Sequence, residues 1–270
     1  MSAPTAEALS ERLRPLREDA AASAVFCDID GTLAPIVTRA EEAHVREEVS
    51  LLIGRLARRY RCVACISGRP AAEARRLVGV GGITYAGSHG AELLEPGQSN
   101  PRLLPAFKSW EGRVRRFAQA HDNPELRRLR VRIEDKGPIT AFHWRAVPDE
   151  DAARTALEGL AQEAEAAGLA THWGRKVLEV RPPVPIDKGQ AVHDLVARYG
   201  PRRALFGGDD ATDLDAFDAL DALAAEGTLE TVVRVGVRSD EGPAAITQRA
   251  DVVVDGVGGF TQVLAVLDGS

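Results

Sequence analysis

The chain has 270 residues, enough for one large domain or two modest ones with real cores. A hydrophobic fraction of 44% and a charged fraction of 27% are those of an ordinary globular protein, and the net charge of −6 argues against a general nucleic-acid binder. No apolar run approaches the roughly 20 residues that span a bilayer, so no membrane-spanning helix is predicted.

The N-terminal stretch MSAPTAEALSERLRPLREDAAAS has no apolar core of the signal-peptide kind and reads as a short amphipathic helix. The next segment, AVFCDID (24–30), is an apolar strand that runs into two aspartates, Asp28 and Asp30, followed by Gly31 and Thr32. Carboxylates this close to a buried strand are costly unless a cation or a reaction uses them; the plain alternative is a polar turn. A helix is predicted near 42–59, a strand at CVACISG (62–68), a helix near 70–78 and a strand at ITYAGSHG (83–90). Cys62 and Cys65 form a C-x-x-C, but alternation along the strand sends the two thiols to opposite faces, so no metal or redox role is assigned. Three cysteines make no disulfide framework, and a reducing cytoplasm is the expectation.

The middle of the chain changes rhythm. A helix at 105–122 leads to two close alternating runs, RLRVRIED (128–135) and ITAFHWRAV (139–147), then to an Ala/Glu-rich helix (149–167) and a second strand pair, LATHWG and KVLEVRP. The basic runs RVRR (113–116) and RRLRVR (127–132) read as solvated faces. The proline-rich RPPVPIDKG (181–189) is a return linker, after which helix and strand alternate again: a helix at 187–199, RALFGGDD (203–210), a helix from about 211, TVVRVGV (231–237) and ADVVVDG (250–256).

This order predicts an α/β fold: a Rossmann-like doubly wound parallel-sheet core built from residues 1–105 and 185–270, interrupted by a smaller inserted α+β cap domain at 106–184. Ligands of such sheets sit at the carboxyl ends of the strands. Those ends supply Asp28 and Asp30, Ser67 with Gly68, Lys188 at a helix start, and Asp209, Asp210 and Asp213. Several carboxylates suit a hard oxygen-liganded cation such as Mg²⁺, and a lysine with a hydroxyl suits a phosphoryl group. Asp28 can attack phosphorus, while Asp30 can protonate the leaving oxygen and then deprotonate water. Each piece has a bland reading: a turn at Ser67-Gly68, a surface Lys188, and an acidic helix start in GGDDATDLDAF. Their order along one fold favours the joint reading.

In order, DIDGT, ISGR, DKG and GDDATD resemble the four motifs of the haloacid dehalogenase-like phosphohydrolases over nearly the whole chain. The resemblance implies Asp28 as nucleophile, Asp30 as general acid/base, Ser67 and Lys188 as phosphate ligands, and a Mg²⁺ site of Asp28, Asp30, Asp209 and Asp213. In the middle domain, Glu134 with Lys136, His143 with Arg145, and Arg175 with Glu179 have strand spacing and share faces, which suits a sugar with many hydroxyls; surface ion pairs are the alternative. GSHGAEL (87–93), EDKGPITAFHWR (134–145) and GRKVLEVRP (174–182) are similar to signature segments of trehalose-6-phosphate phosphatases. That resemblance implies that Glu134, Lys136, Arg145, Arg175 and Glu179 contact glucose units, with Gly68, Arg69 and His89 near the cleft.

Leu214 departs from the pattern, which usually has an acidic residue there; it follows the metal-site Asp213, so little effect on chemistry is expected. The implied activity is hydrolysis of trehalose 6-phosphate in trehalose biosynthesis. A related phosphatase of sucrose phosphate or a mannosyl-phosphoglycerate is the first rival, and a non-catalytic sugar-phosphate sensor the second. No nucleic-acid or membrane partner is implied, and the sequence sets no oligomeric state, a monomer being compatible with it.

Overall fold

The computed structural model describes residues 4–37, 42–239 and 242–270, so the first three residues of the N-terminal helical stretch lie outside it. The first helix, α1 (Ala6–Glu18), starts at Thr5, whose hydroxyl accepts the Ala8 N–H at 3.2 Å, and it buries Leu9, Leu13 and Leu16 along one stripe. Next, β1 (Ser23–Cys27) is apolar enough for all five residues to be buried, the pattern of a strand covered on both faces. The connection leads to α2 (Glu47–Leu56), β2 (Cys62–Ile66), α3 (Ala71–Val78), β3 (Thr84–Gly87), β4 (Glu92–Leu94) and the two-residue β5 (Arg102–Leu103). Gly79 closes α3 in the left-handed conformation.

The chain divides into two compact units: Met1–Arg102 with Ile186–Ser270, and Leu103–Pro185. In the second unit the predicted helix at 105–122 is broken into α4 (Pro105–Lys108) and α5 (Glu111–Ala120). Asn123-Pro124 then starts α6 (Pro124–Arg128), with the Asn123 side chain accepting the Leu126 N–H at 3.0 Å. This helix start displaces the expected strand: β6 (Arg132–Asp135) begins only after Arg130, which is left-handed at φ 59°. The remaining elements are β7 (Thr140–His143), α7 (Glu150–Ala166), β8 (Ala170–Gly174) and β9 (Val177–Arg181), giving an antiparallel sheet in the order β6-β7-β9-β8. One sheet face buries Phe142, Leu178 and Val180 against Leu157, Leu160 and Ala161 of α7.

The first unit resumes with α8 (Lys188–Tyr199), β10 (Arg203–Gly208), α9 (Asp213–Ala225), β11 (Thr231–Arg238), α10 (Ala244–Arg249), β12 (Val252–Asp255) and α11 (Gly256–Asp268). Its sheet runs β12-β11-β10-β1-β2-β3-β4-β5; the pairs from β12 to β3 are parallel and β4 is antiparallel to β3. One core cluster joins Val25, Cys27, Val63 and Cys65 to Leu13, Ile53, Val78 and Phe260, and the other joins Ala24, Phe26, Cys62 and Ala64 to Val192, Leu195 and Phe217. Helices therefore cover both faces. Cys62 and Cys65 do face opposite ways; the closer thiol pair is Cys27 and Cys65, aligned on neighbouring strands with Sγ atoms 3.9 Å apart. No helix among the described residues is long and apolar enough to cross a membrane.

Candidate active site

Three chain segments meet at the carboxyl side of the first unit's sheet. Asp28 follows β1, and its N–H donates to the Gly207 carbonyl of β10 at 2.9 Å. Asp209 follows β10, and Asp213 opens α9. Lys188 opens α8, whose start is capped by the Asp187 carboxylate accepting the Gln190 N–H at 2.7 Å.

All four side chains are buried: Asp28 at 4%, Asp209 at 2%, Asp213 at 0% and Lys188 at 2% relative exposure. The Lys188 Nζ lies 2.8 Å from Asp28 Oδ1 and 2.6 Å from Asp213 Oδ1. The other oxygen of Asp213 accepts the N–H groups of Asp209 and Asp210 at 2.8 and 2.9 Å, so this carboxylate ties the lysine to the loop after β10. Thr32 Oγ1 donates to Asp209 Oδ1 at 3.4 Å. Gly31, at φ +91°, passes so close to Asp209 that a Cβ there would lie 2.2 Å from a carboxylate oxygen. The glycine is required by conformation and by space.

Electrostatics shows what the cluster lacks. Asp28, Asp209 and Asp213 each bring an oxygen within 4.8 Å of the others, yet Lys188 is the one cation set between them among the described residues. Burial pushes Asp28 well above the ordinary carboxylate range despite the lysine beside it, and burial, with Asp213 adding to it, pushes Asp209 up to about 7. Burial alone would lower Lys188, but Asp213 and Asp28 outweigh it and hold the ammonium firmly charged. Buried oxygen ligands with too little positive charge among them fit a hard divalent cation.

A second group borders this cluster. Ser67, 2% exposed, follows β2, and its Oγ accepts the Arg69 N–H at 3.2 Å. The loop that follows is laced to the next one: the Ser88 N–H donates to the Arg69 carbonyl at 2.8 Å and the His89 N–H to the Ser67 carbonyl at 2.9 Å. Ser88 and His89 are both left-handed, with φ of 51° and 58°. A Cβ on Gly68 would lie 2.8 Å from His89 Nε2, so the bare glycine lets the imidazole pack over it. Arg69 grips Asp30 with two N–H donors at 2.6 and 2.7 Å and also holds Glu73, one helical turn into α3.

In the second unit the sequence candidates fall into two groups. Glu134, Lys136 and Glu179 share the sheet face opposite the core. Lys136 Nζ donates to Glu179 Oε1 at 3.1 Å, and Glu134 Oε2 pairs with His143 Nε2 at 2.7 Å. This partner, with burial opposing it, draws Glu134 below the usual carboxylate range. Arg145 and Arg175 are exposed and sit near the other end of the sheet, next to Trp144 and Lys176, whose backbones bond at 3.1 Å. The structure adds two residues the sequence reading did not select, Glu73 and Arg181, and gives His143, selected there beside Arg145, Glu134 as its partner. Arg181, shared by the predicted strand KVLEVRP and the linker RPPVPIDKG, ends β9 and donates from Nε to Glu179 Oε2 at 2.9 Å. The signal for it was the period-two spacing of Val177, Glu179 and Arg181.

A sequence profile of the trehalose-phosphatase family matches residues 26–250. A trehalose-phosphate phosphatase of Mycolicibacterium paratuberculosis is 36% identical over 213 residues, covering 73% of this chain and 51% of that protein. An uncharacterized glycosyl hydrolase of Mycobacterium tuberculosis is 39% identical over 206 residues, which are 73% of this chain and 15% of that protein. The chain thus spans about half the length of the phosphatase relative and much less of the other. Among solved structures, the C-terminal domain of the Candida albicans trehalose-6-phosphate phosphatase shares the fold with TM-score 0.75, 21% identity and coverage of 99% of this chain and 97% of that one.

Proposed function

This chain belongs to the trehalose-phosphatase family, and we propose that it hydrolyses trehalose 6-phosphate to trehalose and inorganic phosphate through an aspartyl-phosphate on Asp28. The observation that carries the reading is the buried Asp28, held at a strand end with Lys188 Nζ 2.8 Å from its carboxylate. That lysine stands beside the nucleophile, where three phosphoryl oxygens must be neutralised.

An Asp28 oxygen attacks phosphorus and the bond to the sugar oxygen breaks, with the Asp30 carboxyl giving its proton to that oxygen. Water then attacks the phosphorus, Asp30 takes the proton, and the bond to Asp28 breaks to release phosphate. Lys188 and Ser67 hold the phosphoryl oxygens, and Gly68, Arg69 and His89 border them. Asp28, Asp209 and the backbone carbonyl of Asp30 would hold Mg²⁺, with Asp213 helping directly or through water; the ion supplies the positive charge that the carboxylates and the phosphate need.

For the sugar we assign contacts to Glu134, Lys136, Arg145, Arg175 and Glu179. We read the protein's setting as a reducing cytoplasm, where it acts on a small sugar phosphate, and the three free, buried cysteines support that setting. The test is phosphate release from trehalose 6-phosphate, sucrose phosphate and a mannosyl-phosphoglycerate, each with Mg²⁺ and with EDTA. Preference for trehalose 6-phosphate with Mg²⁺ is the expected outcome. Faster turnover of another member of the panel would move the assignment to that sugar, and no turnover of any would overturn the reading.

A further inference from the structure

Glu179 is among the buried charged residues of the chain, at 4% exposure, and Arg181 beside it is at 9%. A carboxylate in such a place is kept charged by its partners or not at all. Glu179 has a cation on each oxygen: Lys136 Nζ at 3.1 Å from Oε1, and Arg181 on Oε2 through both Nε, at 2.9 Å, and Nη2. The two grips come from different elements. Lys136 stands in the β6–β7 hairpin, whose turn is closed by the Lys136 N–H to the Ile139 carbonyl at 2.8 Å, while Arg181 stands two residues along β9, on the same sheet face as Glu179.

The two cations are not equivalent. Lys136 is a point charge on a flexible stem, whereas the Arg181 guanidinium is planar and puts two donors on one oxygen, which fixes the carboxylate in direction as well as in charge. Lys136 also faces Glu134 on the same sheet face, so what Arg181 adds at Glu179 is direction that the flexible lysine does not supply. We propose that Arg181 is a positioning residue for substrate recognition: it fixes the Glu179 carboxylate, and with it the Lys136–Glu179 pair, in the orientation that accepts sugar hydroxyls. This rests on the reading of the protein as a sugar-phosphate phosphatase, and it adds a residue for which the sequence signature gave no role.

Removing Arg181 leaves Lys136 Nζ on Glu179 Oε1, so one cationic partner of the carboxylate remains. Arg181→Gln and Arg181→Lys would be compared with the wild type on whichever sugar phosphate the wild type prefers and on a small aryl phosphate, with melting temperatures recorded. In Arg181→Gln, KM for the sugar phosphate should rise about tenfold to a hundredfold with kcat changed much less, the scale of a lost charged hydrogen bond. The sugar-to-aryl ratio of kcat/KM should fall by the same factor. Arg181→Lys, which restores charge but not the two-donor grip, should recover part of the loss. An unchanged sugar KM in Arg181→Gln overturns the proposal, and so do equal losses on both substrates, which would make the residue a general support of the fold. If the wild type turns over the aryl phosphate but no sugar phosphate, the functional reading itself falls and the proposal with it.

Discussion

Lys188 is set so that its removal should be felt in both chemistry and stability. It is 2% exposed and bridges Asp28 and Asp213. Lys188→Met keeps the length of the side chain but leaves three buried carboxylates without their lysine. Breaking a buried pair in this way costs about 3–5 kcal/mol, and urea unfolding in EDTA should show a loss of that order. A variant as stable as the wild type in EDTA would contradict the charge balance argued above. Asp28→Asn has the opposite character. It removes the proposed nucleophile, so phosphate release should fall to background, but Lys188 keeps Asp213 and the metal-free protein should be no less stable than the wild type. Retention of more than a trace of activity would point to direct attack by water. Glu179→Ala removes the buried carboxylate that Lys136 and Arg181 share, so it should lower both stability and the sugar-to-aryl ratio of kcat/KM, the latter by one to two decades, since a hydrogen bond to a charged group is worth roughly 1.5–3 kcal/mol. At this scale the sequence was most readable where a residue type has few other uses. Asp28, Lys188, Asp209 and Asp213 are polar residues at the ends of apolar runs, and the structure brings them within contact of one another. Arg181 stands where the strand run KVLEVRP meets the proline-rich RPPVPIDKG, and neither pattern gave it a role. Leu214, which departs from the family pattern, packs against the second core cluster.

Elements were legible in proportion to how strongly burial shapes their pattern. β1 and β2 are buried along their whole length and read as unbroken apolar runs. The segment from 105 to 135 is amphipathic and rich in arginine, and there local caps decided the outcome: Asn123-Pro124 started a helix inside the span expected to lead into a strand. β4 is three residues long, and the neighbouring edge element is shorter still, too short for any periodicity to appear. The β6–β7 hairpin also carries a pH prediction. Glu134 has a folded value below the 4.5 of an unfolded chain, chiefly because it pairs with His143. The unfolded chain therefore binds this proton first as pH falls, so the pair's contribution is present above about 4.5 and is lost below it as pH drops through the folded value. Unfolding free energies of wild type and Glu134→Gln, measured from pH 7 down to pH 3, should converge on the acid side. A gap that stays constant would show that the pair adds nothing to the hairpin.

At the scale of the whole molecule, the parallel sheet was foreseeable because strands and helices alternate at both ends of the chain, and right-handed crossovers allow few arrangements of such a pattern. What the pattern could not reveal is how deeply the sheet buries its charges. In the metal-free protein Asp209 is pushed up to about 7 and Asp28 is raised as well, both chiefly by burial, whereas an unfolded chain ionises these groups near 3.8. Between those values the folded state binds more protons than the unfolded one, so the stability of the metal-free protein should fall as pH rises from about 4 through 7. A divalent cation reverses this balance, because it binds the ionised carboxylates and displaces their protons. Mg²⁺ should therefore raise the melting temperature more at pH 8 than at pH 5, and EDTA should abolish turnover that added Mg²⁺ restores. The two measurements are independent, one reading the fold and the other the chemistry. Full activity in EDTA would remove the ion from the reaction. A melting temperature that Mg²⁺ leaves unchanged at both pH values would remove it from the carboxylate cluster, and Lys188 alone would then have to balance the charge around Asp28.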